Sequence, residues 1–314
     1  MNFIKREEPE TRYLAVEKLN LLYNLFTTLL IIVFFDRLND PQQMLLGRFF
    51  IAFGTFAVIY LYTKFPSMAM RFLRLVLQMS LLSYWYPDTF EFNRIFPNLD
   101  HLFATLEFDL FGCQPAILFD QVCSGLFWRE AFNMGYWLYY PMIVLVSVYY
   151  FFCRPNESER CTFVIIASFF LYYIIYIFLP VAGPQFYFPV IGEEVAAIGP
   201  YPGLGNYFNL HPEITIAQEG KGGLFTELVG MAQGAGERPT AAFPSSHIGI
   251  TTILVMLAYR AKKWLFVIMF PAYVLLCCAT VYIKAHYLVD AIAGLATGVM
   301  VYYLTTWLYK KFEA

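Results

Sequence analysis

The chain has 314 residues, of which 59% are hydrophobic and 14% charged. Soluble domains carry about a quarter charged residues, so this composition excludes an ordinary soluble enzyme and describes a polytopic helical membrane protein. A formal net charge of −2, with no concentrated basic face, gives no reason to expect nucleic acid as a partner.

Taken in chain order, the first 18 residues mix four acids and four bases, and the apolar run after them lacks a small-residue cleavage site. Residues 1–18 are therefore expected to form a cytoplasmic tail, with the first span kept as an anchor. Apolar runs of crossing length occupy residues 19–35, 48–62, 70–86, 134–153, 162–180, 246–261, 264–283 and 287–308. The expected fold is all-α, a transmembrane helical bundle of six to eight spans with interfacial helices, forming one integral membrane domain over 1–314. Arg71 and Arg74, near the start of the third run, are expected to snorkel to the interface.

Two stretches interrupt the spans. Residues 87–133 mix Pro, acidic and aromatic residues, Asp100, His101 and Asp109 among them. They read as interfacial amphipathic or re-entrant helices that form a lid or gate. Residues 181–243 are rich in Gly and Pro and lead into the helices of 244–308. A loop of that length in a compact bundle is more often functional than decorative. With the amino terminus inside, 14 Lys and Arg fall on the cytoplasmic side of the bundle and 7 on the other. This bias makes 181–243 extracytoplasmic and favours a bacterial inner membrane with a periplasmic site. Of the six cysteines, Cys113 and Cys123 share one predicted extracytoplasmic segment, where a disulfide is open to them.

The residue types suited to chemistry collect at two helix starts. His286 and Asp290, four apart on a helix, share a face, so the carboxylate is placed to accept the Nδ1 hydrogen and leave Nε2 free as nucleophile or base. Pro244-Ser245-Ser246-His247 opens another apolar run with two hydroxyls and unpaired backbone N–H groups, an anion site with a histidine just inside it. The two histidines are separated by two crossings and so emerge at the same face. Gly294 and Gly298, four apart on the last span, read as a close-packing surface.

Pro-Ser-Ser-His and His-Tyr-Leu-Val-Asp-Ala-Ile-Ala-Gly resemble the second and third signature motifs of the type-2 phosphatidic acid phosphatase superfamily. That superfamily includes lipid phosphate phosphatases and the inositol phosphorylceramide synthases, and the resemblance covers about residues 180–300. It implies that His286 attacks phosphorus to form a phosphohistidine with help from Asp290. It also implies that His247 protonates the leaving alkoxide and that Ser245 and Ser246 bind phosphate oxygens. The family's third motif carries an Arg where this chain has Thr280. The cations of its first motif are missing too, and Gln185 stands where one is expected. Arg238 and Lys221 are the expected substitutes, since a phosphoryl transition state needs positive charge or strong donors.

The resulting expectation is a membrane-embedded lipid phosphate phosphatase acting on a phosphorylated lipid of the bilayer. A phosphotransferase of the inositol phosphorylceramide synthase type is the alternative. A noncatalytic transporter or lipid-binding scaffold is the alternative of another class. Four scattered histidines give no metal-ligand set, and phosphohistidine chemistry calls for neither metal nor cofactor. The sequence carries no signal for an oligomeric state.

Overall fold

The computed structural model describes residues 13–211 and 222–313, and among these there is no strand. Among the described residues six helices are long and apolar enough to cross a membrane: Ala15–Val33, Pro41–Lys64, a continuous Leu126–Cys153, Pro155–Phe178, Lys263–Tyr282 and Leu288–Glu313. Asp100–Phe111 and Pro115–Val122 pass the same test as a pair but are bent by 63°, a broken span or a re-entrant loop. The protein is an integral membrane helical bundle.

Two of the expected crossings are altered. The run at 70–86 is split between the helices Met68–Ser80 and Leu82–Asn93, the second with Pro87 inside it. The run at 246–261 forms a 16-residue helix, about 24 Å at 1.5 Å per residue and short of the roughly 30 Å hydrocarbon core. The segment read as interfacial ends earlier than expected. Gly125, at φ +109, caps a helix that starts at Leu126 and runs on into the third crossing.

The described residues cluster into two compact units. The first comprises 13–86, 147–170 and 303–313. Its opening helix inverts the pattern of a soluble protein. Glu17, Asn20, Asn24 and Thr27 are buried along one stripe, while Leu22, Leu25, Leu29 and Ile32 are exposed along another. Helical spacing produces both stripes, and an exposed apolar stripe is what lipid accepts. Charges inside such a unit must be paired. Arg74, expected at the interface, is instead buried and bidentate to Glu17, with Nε and Nη2 each 2.7 Å from a carboxylate oxygen. Arg48 donates to Thr27 Oγ1 at 3.0 Å and to Tyr84 at 2.8 Å.

The second unit comprises 87–146 and 171–302, within which residues 212–221 are not described. Ser246–Ala261 and Lys263–Tyr282 pack together as a hairpin joined at Lys262, and Lys263–Tyr282 also packs on Leu126–Trp137. A core of Phe132, Tyr136, Val229, Ala279, Tyr282 and Ala285 fills the space at the end of this hairpin away from Lys262. That end carries Ser245, His247 and His286.

Candidate active site

Ser245 caps the Ser246–Ala261 helix, its Oγ accepting from the Ile248 N–H at 3.4 Å, and so places His247 in the first turn. Tyr176 fixes that helix start from behind. Its hydroxyl donates to the Pro244 carbonyl at 2.8 Å and accepts the Ser246 N–H at 2.9 Å. The Ser245 N–H donates to the Asp290 carbonyl at 3.1 Å, which ties this start to that of Leu288–Glu313. The two helices cross with backbone nearly touching, since a Cβ on Gly294 would lie 2.6 Å from the Ser245 carbonyl oxygen.

This close crossing brings the two imidazoles together, with His286 Nε2 3.4 Å from His247 Nδ1. His286 Nδ1 donates to the Ala242 carbonyl at 2.7 Å. A carbonyl can only accept, so Nδ1 carries the proton, Nε2 offers its lone pair, and His247 Nδ1 is the donor of the facing pair. His286 is buried and His247 half-buried, its ring between those of Tyr136 and Tyr139 with centroids 4.7 Å away on each side.

Asp290 differs from the expectation. Its carboxylate lies 3.8 Å from His286 Nδ1, beyond a hydrogen bond, and Oδ2 instead accepts the Tyr287 N–H at 2.9 Å. The proton goes to Ala242, and the buried Oδ1 has no hydrogen-bond partner among the described residues. Ser245 and Ser246 differ as well. Their backbone N–H groups are occupied by the Asp290 carbonyl and Tyr176, and the fully buried Ser245 hydroxyl serves the helix cap. Arg238 is exposed and donates to the carbonyl of its neighbour Glu237 at 3.1 Å, and no contact brings it to the imidazoles. Lys221 lies outside the described residues. Thr280 turns its hydroxyl onto the Cys277 carbonyl, and its own carbonyl accepts the His286 N–H at 3.0 Å.

Sequence reasoning missed a polar network beside the dyad. Glu237 accepts from the Tyr136 hydroxyl at 2.8 Å and from Gln185 Nε2 at 3.0 Å, and Gln233 donates to Gln185 at 3.3 Å. Burial pushes the Glu237 carboxyl above the usual range, while these hydrogen bonds and His286 pull it back. Burial lowers His286 to about 4, opposed by the Ala242 hydrogen bond and the charge of Glu237. The one available signal was Gln185, which stands where the family resemblance leads one to expect a cation.

Gln185 and Gln233 also line a cavity of about 870 Å³ with Asn133, Thr226, Arg129 and Lys284. Lys284, held at φ +64, pairs with Asp120 at 3.3 Å, and its carbonyl accepts the Gln185 N–H at 2.7 Å. Asp120, Glu193 and Glu194 line the cavity too, so its charges nearly balance. Among the described residues no cluster of His, Cys, Asp and Glu is arranged to hold a metal ion, and all six cysteines, Cys113 and Cys123 included, are free thiols.

Set against known families, residues 127–304 match the family model described as PAP2 superfamily. Comparison with curated proteins and with solved structures found no match.

Proposed function

Because the chain belongs to the PAP2 superfamily, we propose that it is a lipid phosphate phosphatase working through a phosphohistidine on His286. The observation that carries this reading is the 3.4 Å approach of His286 Nε2 to His247 Nδ1, with the Nδ1 proton of His286 already committed to Ala242. A phosphate entering between the rings meets a lone pair on one side and a proton donor on the other.

His286 Nε2 forms a bond to phosphorus while the bond from phosphorus to the lipid oxygen breaks. The departing alkoxide takes the proton that the entering phosphate monoester has brought to His247, and leaves as the lipid alcohol. His247, now neutral, takes a proton from a water whose oxygen attacks the phosphohistidine. This releases inorganic phosphate and restores both rings. Asp290, 3.8 Å from Nδ1, supports the positive charge that grows on His286 electrostatically rather than as its hydrogen-bond acceptor. Arg238 and Lys221 remain our proposed cations for the phosphate. Ser245 and Ser246 contribute by shaping that helix start. We assign the site to the extracytoplasmic face, the periplasmic side of a bacterial inner membrane, on the two-to-one Lys and Arg bias.

One observation favours transfer to an alcohol instead of water. The cavity is far larger than a phosphate needs, and among its lining residues are Gln185, Gln233 and Lys284, close in the fold or the chain to the dyad. Incubating the detergent-solubilised protein with a panel of phosphorylated lipids, with and without an added alcohol, separates the readings. Hydrolysis gives free phosphate in both arms. Transfer gives a new lipid species only with the alcohol. Neither product from any lipid, in a preparation that retains its fold, returns the protein to the class of noncatalytic transporter or scaffold.

A further inference from the structure

The helix Asp100–Phe111 carries Asp100 and Glu107 seven residues apart, two turns along one face. Both are fully buried. Asp100 accepts from Asn98 Nδ2 at 2.6 Å, from the Ala182 and Gly183 N–H groups at 2.6 and 2.8 Å, and from the Tyr287 hydroxyl at 3.0 Å. Glu107 Oε1 accepts the Leu288 N–H at 2.5 Å, while its Oε2 is buried without a partner among the described residues. Burying carboxylates is costly unless each is well satisfied, so two on one face of one helix need a reason beyond capping a loop.

Their partners surround His286. Tyr287 and Leu288 follow it directly in the chain. The Ala182–Gly183 strap lies behind it: a Cβ on Gly183 would meet the Ala285 carbonyl oxygen at 2.6 Å, and the Val181 carbonyl accepts the Ala242 N–H at 2.9 Å. Ala242 in turn supplies the carbonyl that orients the His286 ring. We propose that Asp100 and Glu107 are positioning residues, which clamp the strap and the His286 loop so that Nε2 is held on the line toward His247. The proposal rests on the catalytic reading of His286 and adds to it the helix that aims the nucleophile.

Orthovanadate, which takes five-coordinate geometry on a correctly placed nucleophile, reads out that aim without knowledge of the lipid. The full chain in detergent micelles is titrated with orthovanadate and its thermal midpoint followed. Wild type should be stabilised and His286→Ala should not. Glu107→Ala and Tyr287→Phe should each weaken the apparent vanadate affinity by about tenfold or more, as loss of a group that orients an active-site ligand does. Glu107→Gln, which keeps an oxygen for the Leu288 N–H, should recover most of that affinity. A purely structural clamp would lower the unliganded midpoint of Glu107→Ala and leave vanadate affinity in the folded protein unchanged. That result, or wild-type affinity in Tyr287→Phe, overturns the positioning role while the reading of His286 stands. If wild type does not respond, or His286→Ala responds equally, the catalytic reading fails and this proposal falls with it.

Discussion

Two influences of opposite sign set the state of His286. Burial drives the ring toward the neutral form, and the Ala242 carbonyl and Glu237 pull it back, leaving it at about 4 against an ordinary 6.5. The His286 ring is therefore unprotonated through the mildly acid range. The ratio kcat/KM, which reports the free enzyme, should hold as pH falls through 6.5 and decline only toward 4; an acid limb centred at the ordinary histidine value would contradict this. The stability consequence has a definite sign. The unfolded chain binds the proton below about 6.5 and the folded site not until about 4. Stability is thus complete above 6.5 and falls as pH drops through this window, by on the order of 3 kcal/mol. The two histidines were legible because their spacing and helix starts are sequence features. The acceptor for Nδ1 was not, because it is the backbone carbonyl of an alanine 44 residues away, and a carbonyl leaves no mark on the sequence. Glu237 was hidden for a related reason: beside Arg238 it reads as loop charge until the fold turns it toward Tyr136.

At the scale of helices, one crossing decides whether the site exists. Gly294 and Gly298 meet backbone on the Ser246–Ala261 helix, where a Cβ would come within 2.6 Å of the Ser245 carbonyl oxygen and 2.8 Å of that of Gly249. Backbone cannot yield as a flexible side chain can. Gly294→Val should cost about 1–3 kcal/mol of stability through overpacking, and by pushing the helix starts apart it should lower kcat by about a hundredfold. Gly54→Ala has nothing within 4 Å of the added methyl and should leave kcat unchanged. Equal effects of the two substitutions on kcat would dissociate this crossing from catalysis. The glycine spacing was readable as a close-packing surface, although which helix would face it was not. The helix carrying Asp100 and Glu107 was read as a lid because it is rich in acids and aromatics. That its carboxylates point inward depends on partners in two distant segments, which local pattern cannot supply.

For the whole molecule, composition sufficed for the class, because a bilayer demands long apolar helices whatever their order. The count of crossings was less legible, since an apolar run does not reveal where a helix breaks: the run at 70–86 divides near Leu81, and the hairpin helix after Ser245 is shorter than a full crossing. Inside the first unit, the polar stripe of Glu17, Asn20, Asn24 and Thr27 is legible only in hindsight, because its meaning depends on Arg74 and Arg48 arriving from other helices. The direct test of the account is a rapid-quench experiment with the radiolabelled phospholipid that the substrate panel identifies, followed by peptide mapping of the trapped protein. An acid-labile phosphate bonded to His286, absent in His286→Ala, is the predicted result. Full turnover without any phosphoenzyme, or with the label on another residue, would contradict it.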